Sequence, residues 1–224
     1  MKKFLERTFQ ILAIAGLITF NFITPTFATD ATVKKDLLTD SRPTVSANHT
    51  LTFTIQNDIT DDDTLTIDFP TGFDTTGFAD TEPEDYDITD DGAEQFLVAD
   101  GGCTGTALEI EIEEVDTTND VFTFTRCTGD ATIASGSIVV VEIGTHATTN
   151  GTGNDQIENP SKVAAAGTAD IYTISLAGTA SITGDILVAI QDGVTLSATV
   201  DETLTFTVAG RSTGNCNTQV TGGT

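Results

Sequence analysis

An all-β, antiparallel β-sandwich with a partial second β unit at its C-terminal end is the fold class this sequence predicts, and three observations predict it. Threonines alternate with large apolar residues over many short segments, the period-two pattern of a half-buried antiparallel strand. Turn residues separate these segments at short intervals, as at Asn57-Asp58, Asp91-Gly92, Asn119-Asp120 and Asp192-Gly193. Beyond the first thirty residues no stretch holds a helical period, so βαβ units are excluded and strands joined by turns remain.

The first element is a leader, residues 1–28. Lys2, Lys3 and Arg7 precede an uncharged stretch whose apolar centre is 11–20, and Pro25 followed by Thr26-Phe27-Ala28 forms a small-residue cleavage site. An uncleaved anchor is the alternative, but Gln10, Asn21 and Pro25 interrupt the span. Cleavage places the mature chain outside the membrane, secreted or at the cell surface, with no membrane insertion afterwards. Strands are then expected at 50–55, 64–69, 108–115, 121–125, 137–143, 170–176 and 185–190. In the first of these Leu51, Phe53 and Ile55 take one face and Thr50, Thr52 and Thr54 the other. Threonine's branched Cβ suits extended backbone while its hydroxyl tolerates water. Acidic loops fill 72–102, and 83–86 and 161–167 are each short enough for a single helical turn. These strands make one domain, 29–190. Two further strands, 194–200 and 204–208, lie in 191–224 with a polar tail. Two strands cannot bury a core alone. They add to the main body, begin a second, incomplete β domain, or pair with another molecule.

Charge narrows the partners. The chain carries a net charge of -25, and removal of residues 1–28 deepens it to -27, because that segment holds three basic residues and one acidic. Such a field repels phosphate backbones and anionic lipid surfaces, so nucleic acid is excluded as a partner, and cations or basic partners are favoured. The same charge suits a disordered chain, but apolar residues make up 38% of this one and alternate regularly, which provides a core.

Several short runs carry a resemblance. They are Asp40-Ser41-Arg42-Pro43, Asn48-His49-Thr50 before its strand, 63–73 from Asp63 to Phe73, Val141-Glu142-Ile143-Gly144-Thr145, and Asn159-Pro160-Ser161 before the strand with Tyr172. Together they resemble the immunoglobulin-like β-sandwich modules of secreted bacterial surface and adhesion proteins. The resemblance covers most of 30–190, lies at strand ends, and implies a surface role with no ligand attached. The wall-sorting signal of many such proteins is absent from this sequence.

Of the three cysteines, Cys103 and Cys127 flank the hairpin expected from 108–115 and 121–125, and an exported chain favours their disulfide. Cys216 is left over. Three dispersed cysteines and two histidines lack zinc-ligand spacing. Gly210-Arg211-Ser212-Thr213-Gly214 matches the nucleophile-elbow pattern after a strand, but no helix follows, and His49 and His146 lie upstream where that fold needs its base downstream. His49 is read as a polar residue at a strand start and His146 as a loop residue. Calcium is the metal that clustered loop carboxylates suit, and the candidates are Asp61, Asp62 and Asp63, then Asp85, Asp87, Asp90 and Asp91 before Gly92. The second group follows an EF-hand loop at Asp87, Thr89, Asp91 and Gly92 but has Val98 where the bidentate glutamate belongs. A solvated acidic surface is the favoured reading and no cofactor is expected. Sugar platforms are scarce, with no Trp and two Tyr. Asn48 and Asn150 match the glycosylation pattern, which a Thr-rich chain produces by chance. The function expected is a non-enzymatic extracellular module for adhesion or spacing, binding a surface protein or polysaccharide. A subunit that self-associates by strand addition is the alternative, and a secreted hydrolase using Ser212 comes third.

Overall fold

Alternation in the sequence turns into strands in the computed structural model, which describes residues 29–193 apart from Ala107. The leader, the strand pair at 194–208, Ser212 and Cys216 lie outside the described residues. Thirteen strands run in chain order: β1 (Thr29–Asp30), β2 (Thr32–Leu38), β3 (Ser46–Ala47), β4 (His49–Thr54), β5 (Thr64–Asp68), β6 (Tyr86–Asp90), β7 (Ala93–Val98), β8 (Glu109–Asp116), β9 (Val121–Arg126), β10 (Ile138–Ile143), β11 (Ile157–Glu158), β12 (Asp170–Ala177) and β13 (Ile182–Ile190). One 3₁₀ turn, Pro83–Asp85, leads into β6. Each expected strand in this region is present within a few residues of its expected ends. Residues 161–167 form no helical turn.

Eleven strands join in one sheet of order β1-β13-β12-β5-β9-β8-β7-β6-β10-β4-β2, and β11 pairs with β3 separately. All neighbours in the large sheet are antiparallel except β1 with β13 and β7 with β8. The sheet rolls into two facing layers joined along both flanks, so it is nearly barrel-shaped. On one flank β7 changes layer: Ala93–Gln95 pair with β6, whereas Phe96–Val98 pair with β8. On the other, a single N-terminal segment serves both layers, since β1 adds to β13 and, one residue later, β2 adds to β4. The sandwich of two separate sheets expected from the sequence is therefore one rolled sheet. Gln95 and Leu97 point inward while Glu94 and Phe96 point out, so the pleat of β7 continues unbroken while its partner changes.

The hairpin β6–β7 falls where loops were expected. Buried Asp87 and Gln95 interrupt the apolar face of these strands, and that concealed their period. Its two-residue turn is Asp91-Gly92, with φ of 49° and 82°, the left-handed pair that a type I′ hairpin turn requires.

Between the layers lies the core. Leu51, Phe53, Val139 and Val141 come from one side, and Ile67, Phe122, Phe124 and Ile174 from the other, all essentially buried. Burying each such side chain contributes about 1.5–3 kcal/mol. Phe69, Phe73 and Phe78, on the loop after β5, fold back into this interior: they meet Phe122 and Tyr172 edge-on at ring separations of 5.5–5.8 Å, the arrangement ring quadrupoles favour, and Phe78 packs tilted on Tyr86. Cys103 and Cys127 form the expected disulfide, with their Cα atoms 5.6 Å apart. Among the described residues no helix is long and apolar enough to cross a membrane.

Candidate functional site

Two long loops meet at one end of the rolled sheet, and the residues that hold them there are carboxylates. The 3₁₀ turn points Asp85 inward, and its backbone carbonyl accepts the amide of Gly144 at the end of β10. Asp85 is fully buried. Its Oδ1 accepts the backbone N–H groups of Asn154, at 2.6 Å, and Asp155, at 3.1 Å. Two residues on, Asp87 accepts the N–H of Thr148 at 2.6 Å and that of Thr149 at 3.0 Å. Asn48 completes the anchor: its Oδ1 accepts from the Thr145 amide and from Gln156 Nε2, both at 2.9 Å. A loop with few backbone partners of its own is thus satisfied by side chains, as buried amides must be.

This arrangement places three carboxylates together. Glu82, Asp85 and Asp155 each bring an oxygen within 4.8 Å of the other two. Asp85 Oδ2 is buried and has no hydrogen-bond donor. Desolvation, then the charge of Asp85, pushes the Asp155 carboxyl up from its ordinary value. Glu82 is raised too, by desolvation and then by Asp85, Asp155 and Glu84. Tyr86, beside them, has its phenol pushed up by burial and by the same carboxylates. No Lys, Arg or His among the described residues makes an ion pair with this group.

A second group, Glu109, Cys127 and Asp130, is already committed. Cys127 sulfur is in the disulfide. Glu109 accepts the Thr104 hydroxyl at 2.6 Å and the amides of Thr104, Gly105 and Thr106, which hold its carboxyl below the usual glutamate range. Asp130 Oδ2 accepts the Glu109 amide.

The metal candidates read from the sequence fall elsewhere. Asp61, Asp62 and Asp63 form the turn before β5. There Asp63 accepts the amide and hydroxyl of Thr60 and the Thr179 hydroxyl, and Asp62 accepts the Thr128 hydroxyl. Asp87 stands in β6, and Asp91 sits in the hairpin turn, where its Oδ1 accepts the Ile138 amide. The apparent EF-hand spacing is a strand and its turn. Of the residues singled out, only Asp85 enters the carboxylate cluster. Asp155 had no sequence signal, because 70 residues separate it from Asp85, and Glu82, three residues before Asp85, is one acid among many in that acidic stretch.

His49 opens β4, as expected, but is fully buried. Its Nδ1 lies 2.7 Å from Asp36 Oδ2 in a pair with no exposed side-chain surface, and its ring meets Phe69 at 5.1 Å. His146 follows β10 in a loop and places Nε2 2.9 Å from the Thr50 hydroxyl. The two rings serve different neighbours. Asn48 is buried by its structural role. A small interior void lined by Ile59, Leu65, Ile88, Ile110, Phe124 and Val139, with Asp63 and Arg126, is almost wholly apolar.

No protein-family model matches the chain, and no curated protein matches it. Among solved structures it is similar to BslA, a bacterial hydrophobin, with a TM-score of 0.38 and 10% identity over 73% of this chain and 98% of that one. It is also similar to BcpA, the major pilin subunit of Bacillus cereus, with a TM-score of 0.36 and 10% identity over 71% of this chain and 40% of that one. Likeness at this level brings no residue role to the present chain.

Proposed function

We propose that this protein is a non-enzymatic module of the cell exterior, an immunoglobulin-like β body that serves as a structural spacer or adhesive unit. The observation that carries the reading is the Cys103–Cys127 disulfide, which fits the reading of residues 1–28 as an export leader. Cys103 is exposed and Cys127 buried, and a structural disulfide of this kind persists in an oxidising compartment rather than in the cytosol. Side-chain chemistry in the described body goes to anchoring loops: Asp85, Asp87, Asn48 and Glu109 accept backbone amides. Acidic loops and threonine faces keep such a body soluble and leave contacts with basic or polar surface partners open to it. The test is expression with the leader intact, followed by fractionation, thiol alkylation and a pull-down against surface proteins and wall polysaccharides. We expect an extracellular chain with Cys103 and Cys127 protected, retained by one of these fractions. Recovery in the cytosol with both thiols free, or reproducible hydrolysis without binding, overturns the reading.

Self-assembly by strand addition is the second reading. β7 and the N-terminal segment join the two layers along both flanks of the rolled sheet, but β1 covers only Ile182 and Thr183 of β13, and β2 pairs with β4 alone, so both leave runs without a strand partner among the described residues. In this reading the strands expected at 194–200 and 204–208 are the donors, and the uncovered edges of β2 and β13 are the acceptors. Sedimentation at high concentration decides: a strict monomer removes this reading.

A further inference from the structure

We propose that Glu82, Asp85 and Asp155 form a calcium site that clasps the loop entering β6 to the loop following β10. Three observations carry it. First, the three carboxylates converge, each with an oxygen within 4.8 Å of the other two. Two oxygens bound to one Ca²⁺ are separated by at most about twice the Ca–O distance of roughly 2.3–2.6 Å, so this spacing admits a shared ion. Second, Asp85 is fully buried, two backbone amides occupy its Oδ1, and Oδ2 has no donor. A buried carboxylate oxygen without a partner is costly, and a cation removes that cost. Third, two glycines keep the surroundings open. A Cβ on Gly77 would lie 2.5 Å from Asp155 Oδ1, and one on Gly153 would lie 2.5 Å from the Gly144 carbonyl and 3.0 Å from both the Glu84 carbonyl and Asp85 Oδ1. The chain at Gly153 thus runs close against Asp85 and the Glu84 carbonyl.

The donor set chooses the ion. All donors are hard oxygens, with neither imidazole nor thiolate, which excludes a zinc or copper preference. Loops that supply carboxylates and carbonyls in irregular geometry suit Ca²⁺, whereas Mg²⁺ demands a near-octahedral shell. Desolvation, and after it the charge of the neighbouring carboxylates, raises Glu82 and Asp155, and a divalent cation opposes both effects. With three carboxylates, one of them already accepting two amides, the site is expected to be weak, with Kd on the order of 10⁻⁴–10⁻³ M. The inference does not rest on the proposed surface role, because the site is internal to the fold.

The test uses the full chain stripped with EDTA and titrated with CaCl₂ by calorimetry, alongside thermal melts. Calcium is expected to bind and to raise Tm by several degrees, with MgCl₂ weaker. Asp155→Asn and Glu82→Gln, both partly exposed and outside the core, are each expected to weaken calcium binding at least tenfold and to abolish the Tm rise, while Asp61→Asn leaves both unchanged. Terbium reports position: with no Trp in the chain, its emission is sensitised through Tyr86, and Tyr86→Phe is expected to remove that emission while calorimetric calcium binding persists. Absence of calcium-dependent heat and Tm shift overturns the proposal and assigns the unpartnered oxygen to a proton shared between Asp85 and Asp155. Equal affinity in wild type and both carboxylate variants overturns it as well.

Discussion

Among the described residues Arg126 is the largest fully buried side chain, and no carboxylate there makes an ion pair with it. Its Nη1 donates to Gln95 Oε1 at 2.7 Å and its Nη2 to the Ala131 carbonyl at 2.5 Å, so it ties β9 to β7 and to the loop before β10. Desolvation lowers its pKa, and the charges of Asp130, Asp90 and Asp61 oppose that shift. Replacing it with Met leaves Gln95 and Ala131 without their donor, at an expected cost of about 2–4 kcal/mol in urea unfolding. Glu109 acts through acceptance. The Thr104 hydroxyl first, then backbone amides, hold its folded pKa below the ordinary glutamate value. A depressed carboxylate contributes stability that is full above its ordinary value and lost as pH falls through the folded value. Glu109→Gln is therefore expected to flatten the acid limb of the stability curve, measured by urea melts from neutral pH to about pH 3. An acid limb identical to wild type contradicts this role.

At the scale of elements, the disulfide and the Glu109 cluster act on the same segment. Residues 103–108 run from the bridge to the start of β8, and Cys127 follows β9 directly. The bridge closes a 24-residue separation, which in the chain-entropy model stabilises by about 3 kcal/mol. A Cys103→Ala, Cys127→Ala double variant is expected to lose about that much in denaturant melts while keeping its β-type circular dichroism. Loss of the β signal in native buffer shows instead that the bridge is needed to fold. The β6–β7 hairpin shows why some elements escaped the sequence. Its turn, Asp91-Gly92, was legible. Its strands were not, because buried Asp87 and Gln95 and exposed Phe96 break the apolar alternation that identifies a half-buried strand.

Over the whole molecule, net charge is the dominant long-range force. At -25 the folded chain repels itself more than its extended form does. Salt screens that repulsion over about 10 Å at 0.1 M. Tm is therefore expected to rise with NaCl, tested with potassium chloride as well so that a general screening effect is seen. A Tm that falls with both salts refutes self-repulsion as the governing term. The rolled sheet holds this charge together because both layers share strands: β7 on one flank and the segment from Thr29 to Leu38 on the other.

What the sequence determined by itself was local. Period-two alternation placed β4, β5, β8, β9, β10, β12 and β13, turn residues separated them, and the hairpin of β8 and β9 brought Cys103 to Cys127, because each of these depends on neighbours within one or two elements. Which strands change layer, and which acids meet, was decided only by the tertiary structure. Asp85 and Asp155 come together because β6 and β10 are sheet partners, and Asp36 meets His49 because β2 lies on β4. Carboxylates distant in sequence look alike whether they face water or one another. Only the path of the backbone distinguishes the solvated acids of the turns from the buried oxygen of Asp85.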